Sequence, residues 1–179
     1  MIITHKDIYT NEIRKIRDTQ PKGNSRRMMS LAAFYLLDMK PDRKSNRKAR
    51  AYFNESGDIV CVAAYDVMPK TLETNLLAIA AIAGQDRKGY ASAVLELILE
   101  ESRQSGMKYF KFEVDNLEAK EWYQHRNYIF LEEQGYPMKS YTPLFGTENS
   151  DTESDWKNRV SKWVSKWEEL KAKKDNNAK

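Results

Sequence analysis

Leu76-Leu77-Ala78-Ile79-Ala80-Ala81-Ile82-Ala83 runs directly into Gly84-Gln85-Asp86-Arg87-Lys88-Gly89-Tyr90-Ala91-Ser92. The unbroken apolar run predicts a strand from Asn75 to Ala83 that is covered on both faces. It is far shorter than the ~20 residues a membrane span needs. A helix follows from about Gly89 to Ser105, with Ala91, Val94, Leu95 and Ile98 on one stripe and Gly106 as its terminator. A glycine at a helix start admits close approach of a ligand to the backbone. The free N–H groups of the first turn, aided by the helix dipole, suit an anion. Arg87 and Lys88 add positive charge there. Many plain strand-to-helix loops also contain glycine, so the loop alone leaves both readings open.

Outward from this stretch, the pattern predicts alternating elements. Met1 to Thr4 suggests a short strand. A helix through Ile8, Ile13 and Ile16 ends before Pro21, and a second runs from an N-cap at Ser25 to Met39, with Met29, Ala32, Ala33 and Leu36 at helical spacing. Ala51–Asn54, Glu55-Ser56-Gly57-Asp58 and Ile59–Met68 read as a hairpin. Lys108–Val114 alternates as a strand. Asp115 with Glu118 resembles a capping box for a helix reaching Arg126. Tyr128–Glu133 and Met138–Leu144 complete the strands. After the acidic stretch Glu148–Asp155, residues Trp156, Val160, Trp163, Val164, Trp167 and Leu170 form the stripe of an amphipathic helix. The expected organisation is a domain over 1–147 and a tryptophan-bearing helix with a polar tail over 148–179.

Composition narrows the classes. With 179 residues the chain can bury a sizeable core. One Cys forms no internal disulfide, and one Cys with two His makes a poor zinc set, so no metal is expected. The N-terminus lacks an apolar leader region, and the expected location is the cytoplasm. The net charge of +4 hides an asymmetry: +8 over residues 1–50, −6 over 51–149 and +2 over 150–179. Arg43, Lys44, Arg47, Lys48 and Arg50 form the densest basic run, either a patch for an acidic ligand or a solvated loop before a strand.

The second half of the central region is Asn116-Leu117-Glu118-Ala119-Lys120-Glu121-Trp122-Tyr123-Gln124-His125-Arg126-Asn127-Tyr128, 27 residues beyond Gly89. Together with the glycine loop it resembles the GNAT N-acetyltransferase superfamily, which moves an acetyl group from acetyl-CoA to an amine. The resemblance covers residues 50–135 well, 1–49 loosely and the last 30 not at all. It implies an α/β (α+β) fold with a mixed, mostly antiparallel central sheet flanked by helices, here extended by the C-terminal amphipathic helix. It implies acetyl-CoA as co-substrate. The backbone of Ile79, Ala80 and Ala81 and the side chain of Asn116 would hold the pantetheine arm. Arg87, Lys88, Gly89, Tyr90, Ala91 and Ser92 would wrap the pyrophosphate. Asp86 stands where the family has Gln or Arg, and Asn127 where it has Gly, a position Asn tolerates because it adopts positive φ.

The resemblance makes Tyr123 the general acid for the leaving thiolate. The strand before the loop lacks the carboxylate that often serves as base, which leaves Glu113 and Glu73 as candidates. His5 and His125 read as exposed, and Cys61 as a small buried hydrophobe. The acceptor is an unidentified amine on a small molecule or macromolecule. The basic N-terminal region leans toward an acidic acceptor such as an aminoacyl-tRNA. The alternatives are a non-catalytic binding protein of the same fold and a regulator or toxin contacting nucleic acid through the basic segment. The tryptophan stripe needs a cover, from its own chain, a second copy in a homodimer, another partner or a membrane surface.

Overall fold

The computed structural model describes residues 2–37, 46–85, 88–130 and 138–144, together with Asn158, Ser161, Lys162 and Ser165. The chain divides into two compact units, Met1–Leu144 and Phe145–Lys179. In the second unit the four described residues are helical and exposed. Their spacing places them on the polar face expected of the tryptophan helix. Trp156, Trp163 and Trp167 lie outside the described residues, as do Arg43 and Lys44. Among the described residues, no helix is long and apolar enough to cross a membrane.

The first unit is a six-stranded sheet in sequence order: β1 (Thr4–Asp7), β2 (Asn46–Phe53), β3 (Ile59–Met68), β4 (Glu73–Ala81), β5 (Tyr109–Val114) and β6 (Met138–Pro143). All neighbours are antiparallel except β4 and β5, which are parallel. A parallel pair cannot be joined by a tight turn. The connection here is α3 (Tyr90–Gln104). The remaining helices are α1 (Thr10–Asp18), α2 (Asn24–Leu37) and α4 (Leu117–Gln124). This is the expected mixed, mostly antiparallel sheet flanked by helices.

Two cores sandwich the sheet. Ile13 of α1 and Met29, Ala32 and Ala33 of α2 pack on Ala49, Ala51, Val62, Ala64, Ala78 and Ala80. Alanines along the strands make a flat floor that lets these helices sit close. On the opposite face α3 buries Val94, Leu95, Ile98 and Leu99, and Thr74 Oγ1 meets Ser102 Oγ at 2.9 Å.

Several boundaries differ from the expectations. The first strand is Thr4–Asp7, paired with β2. Ser25 lies inside α2, whose first internal bond runs from Arg27 N–H to the Gly23 carbonyl at 3.1 Å. Asn116, rather than Asp115, caps α4, its Oδ1 accepting the Ala119 N–H at 2.7 Å. The strand buried along its length is β3, whereas β4 alternates between buried and half-buried residues. Phe130 makes an isolated bridge to Ser140, and residues 131–133 of the expected strand lie outside the described residues.

The largest departure concerns the basic run. β2 begins at Asn46, so Arg47, Lys48 and Arg50 sit on a strand rather than in a loop. Cross-strand and cross-layer carboxylates outcompete solvent for them. Arg47 forms a fork to Asp66 at 2.6 and 2.7 Å, Arg50 reaches Asp7 at 2.8 Å, and both Lys48 and Arg50 bond Glu101 of α3. Tyr65 also donates to Glu101, at 2.7 Å. Lys48 and Arg50 tie α3 to the sheet and Arg47 ties β2 to β3, so these three cations of the run are paired within the fold.

Burial opposes ionisation of Glu101, but the bonds from Lys48, Tyr65 and Arg50 win and pull its carboxyl down to about 2. A depressed folded-state pKa stabilises the protein above the unfolded value near 4.5, and that stabilisation is lost as pH falls toward 2. We expect Glu101→Gln to cost about 1–3 kcal/mol at neutral pH, because Lys48 loses its counter-charge and Arg50 one of its two. Urea midpoints measured from pH 7 to 2.5 should fall less steeply in Glu101→Gln than in the wild type. Parallel curves would remove Glu101 from this role.

Candidate active site

The site begins with an interruption in the sheet. β4 and β5 pair from Glu73/Tyr109 to Leu76/Phe112 and no further. At that point Ala64 opposes Ala78 while Tyr65 opposes Leu76, so Leu77 is an extra residue on β4. Such a bulge bends a strand and increases its twist. Beyond it β4 stays with β3 as far as Ala81/Cys61, and β5 stays with β6 as far as Val114/Met138. The two strands therefore splay apart.

The register shows which backbone groups this exposes. Ile82 N–H donates to the Val60 carbonyl at 3.0 Å, so Ala80 and Ala78 share its orientation toward β3. Ile79 and Ala81 consequently turn their N–H and C=O groups toward the gap. On β5, Tyr109 N–H donates to Leu72 at 3.1 Å, and by alternation Glu113 faces the gap from the other bank. The gap is a cleft of about 480 Å³. Phe112 and Val114 line it on the β5 side, Met28 of α2 on one face, and Ala91, Trp122 and Tyr123 on the other. Buried Leu76, Ala78 and Ala80 and half-buried Leu77, Ile79 and Ala81 all border the cleft, which is why an all-apolar run does not become a doubly covered strand.

At one end the cleft meets the start of α3. Gly89 is its N-cap, with φ +81° and no capping side chain. A residue with a Cβ is strained at this φ, which accounts for the glycine. The first internal bond is Ala93 N–H to the Gly89 carbonyl, 3.0 Å, so the N–H groups of Tyr90, Ala91 and Ser92 precede the helical ladder. Lys88 is exposed and donates to Gln85 Oε1 at 3.1 Å. Asp86 and Arg87 lie outside the described residues. The loop's entry is pinned by Gln20, a buried side chain whose Oε1 accepts the Ala83 N–H at 2.8 Å. No motif marks Gln20 in the sequence, because its partner is 63 residues away.

Tyr123 is buried against Phe112, with ring centroids 4.1 Å apart, and against Trp122 and Tyr128. Burial holds its hydroxyl well above the usual tyrosine range, so it stays a proton donor. Asn127 has φ +63° and turns the chain from α4 back toward Phe130, the role foreseen for an Asn in a glycine position. Asn116 Nδ2 donates to Asp115 Oδ1 at 3.1 Å. Glu113 points to the face of β5 opposite Phe112 and pairs with Lys139 at 3.0 Å. Asp115 pairs with Arg27 of α2, which links the end of β5 to that helix.

The other candidates fall elsewhere. Glu73 sits at the start of β4, away from the cleft, held by Lys111 at 2.8 Å and Tyr141 at 2.7 Å. Burial opposes its ionisation, but those partners hold its carboxyl below the usual range. Cys61 is buried, its thiol pushed up to about 12. His5 and His125 are exposed. Among the described residues, no cluster of three or more His, Cys, Asp or Glu could hold a metal ion. The residue that sequence reasoning passed over is Arg126, whose guanidinium lies 3.8 Å from the Trp122 ring and donates to Ser92 Oγ at 3.2 Å. The i, i+4 spacing of Trp122 and Arg126 was the available signal.

No family model matches the chain, and no curated protein matches it. Solved structures do. The ribosomal-protein-S18-alanine N-acetyltransferase of Escherichia coli superposes with a TM-score of 0.55 at 15% identity, over 83% of this chain and 98% of that one. An acetyltransferase of the GNAT family from Staphylococcus aureus gives 0.57 at 8% identity, over 80% and 100%. A spermidine/spermine N-acetyltransferase from Vibrio cholerae gives 0.55 at 11%, over 79% and 92%. A parallel β4–β5 pair that opens beside an uncapped helix start, embedded in this topology, gives the chain the fold of the GNAT N-acetyltransferases.

Proposed function

We propose that the chain transfers an acetyl group from acetyl-CoA to an amine. The observation that carries this reading is the alignment of unpaired strand backbone at Ile79 and Ala81 with the open N-terminus of α3. A pantetheine arm offers amides that complete an open strand edge. A pyrophosphate needs converging N–H donors without bulk, which Gly89 to Ser92 supply, with Lys88 and Arg87 adding charge. Asn116, at the end of β5, offers its remaining hydrogen-bonding capacity to the same arm. Bound acetyl-CoA supplies an activated thioester. The whole reaction is assigned to residues 1–147, with 148–179 as an appendage.

Each side chain then has a task. The Ile79 N–H stabilises the developing oxyanion from the β4 bank. Tyr123, on the α3/α4 face, donates its proton toward the leaving sulfur as the carbon–sulfur bond breaks. Glu113, on the α2 face, receives the proton lost by the attacking amine. The cleft carries three carboxylates, Glu113, Asp115 and Glu118, and no Lys or Arg among its described lining residues. Glu113 and Asp115 are paired with Lys139 and Arg27, and Glu118 is the cleft carboxylate that favours a positively charged amine over the acidic acceptor expected from the N-terminal charge. Two proteins of the same fold, named for N-acetylation of spermidine/spermine and of a protein alanine, are consistent with an amine acceptor.

A second reading, acyl-CoA binding without turnover, is favoured by one observation: Lys139 already neutralises Glu113. Calorimetry with acetyl-CoA should show saturable one-to-one binding, weakened more than tenfold by Ala91→Trp, which fills the cleft beside α3. Absence of binding in the wild type would reject both readings. If binding is found, acetyl transfer to a panel of mono- and polyamines separates them. For the enzyme, Tyr123→Phe should cut turnover about 10²-fold and leave the acetyl-CoA Kd within about twofold. An unchanged rate would remove Tyr123 from the mechanism.

A further inference from the structure

Gln20 sits in the corner between α1 and α2 and is only 7% exposed. Its backbone N–H donates to the Arg17 carbonyl at 2.9 Å, and its own carbonyl accepts from Arg26 Nη1 at 3.1 Å. Its side-chain Nε2 donates to Thr19 Oγ1 at 2.9 Å. These bonds join the end of α1 and the start of α2 into one corner. Oε1 reaches out of that corner and accepts the Ala83 N–H at 2.8 Å. Ala83 is the second residue of a turn closed by the Gln85 N–H on the Ile82 carbonyl at 2.9 Å, with Gly84 at φ +80°. Such a turn uses the N–H of its fourth residue and leaves that of its second without a partner. Gln20 supplies one from 63 residues away.

The corner and the turn serve different walls of the cleft. Asn24, Ser25 and Met28, just after the corner, line it from α2, and Ala81, two residues before Ala83, lines it from β4. α2 also packs on the alanine floor of the sheet, but that contact is apolar and non-directional. The bond to Ala83 has a direction and a length, so it fixes where the α2 wall stands along β4. A donor bonded to Ile79, Ala81 and the first turn of α3 would hold the chain on both sides of Ala83, and with it the N–H that faces Gln20.

We infer that Gln20 is the positioning residue that joins the donor's strand to the acceptor-side helices, so that ordering the exit of β4 orders the α1–α2 corner. The inference rests on the acetyl-CoA reading and deepens it: the amine attacks from the α2 face, and Gln20 sets that face against the thioester. Placement matters because attack needs the reacting atoms within about 3.5 Å.

Hydrogen exchange on the full chain, with and without saturating acetyl-CoA, tests this in the wild type, Gln20→Met and Gln20→Asn. No residue from 10 to 22 is among the described lining of the cleft, so slowing there must be relayed through the fold. Each protein is read as the ratio of its own free and bound rates, so a general loss of stability cancels. In the wild type, acetyl-CoA should slow the amides of 14–22 about threefold or more, together with those of 79–92. Met keeps the volume of Gln20 and loses the oxygen, and Asn is one methylene short of Ala83. In both, the slowing over 79–92 should persist while that over 14–22 disappears. Two outcomes overturn the inference: a wild type that binds acetyl-CoA without slowing over 14–22, or variants that keep the wild-type ratio there. If Gln20→Met does not fold, Gln20→Asn decides alone. A wild type that does not bind acetyl-CoA rejects the proposed function itself, and that result is told apart because it precedes any variant.

Discussion

β4 and β5 cannot both keep their outer partners and stay paired with each other. β3 holds β4 to Ala81, β6 holds β5 to Val114, and the extra residue Leu77 bends β4 where the shared ladder ends. A broken ladder in a sheet interior leaves peptide groups without partners, a costly state unless something else bonds them. Every other feature of the site is arranged around that gap. α2 flanks it on one face, and α4 brings Tyr123 to it on the other. The open end of α3 closes the line along which a ligand would lie.

The ion-pair network on the far part of the sheet serves this arrangement. Glu101 gathers Lys48, Arg50 and Tyr65 and so anchors α3 to β2 and β3. Glu101 lies in the last turn of α3, and the helix also packs on β3 and β4. Gln20 does similar work from the other side by fixing Ala83. Arg47, Lys48 and Arg50, which look in the sequence like part of a surface for an acidic partner, are paired inside the fold. The charged side chains among the described lining of the cleft are acidic, Glu113 paired with Lys139 and Asp115 with Arg27.

Much of the fold was legible from local pattern. The Gly89 turn, the α3 stripe and the alternation of β5 follow from spacing alone, and Tyr123 was marked by its distance from Asn116. The misreadings share one cause. Local pattern starts β2 after its charged half, because its cations find their partners 19 to 53 residues away. Local pattern makes β4 fully covered, because a cleft and a core accept the same apolar side chains. Local pattern puts the α4 cap at Asp115, one residue early, since neighbouring polar residues compete for that place, and the α2 cap at Ser25, two residues beyond the Gly23 carbonyl that accepts the first bond.

By itself the sequence determined which segments become strands and helices, where glycine and asparagine turn the chain, and which family's spacing it shares. These are properties of neighbours in the chain, governed by periodicity and by allowed φ and ψ. Only the tertiary structure decided that β4 parts from β5 at Leu77, that Arg47, Lys48 and Arg50 find carboxylates, that Glu113 and Tyr123 stand on opposite faces of the cleft, and that Arg126 reaches Ser92. Each depends on groups far apart in the chain meeting in space. Such meetings are set by packing, register and charge pairing between elements, to which no local pattern is sensitive.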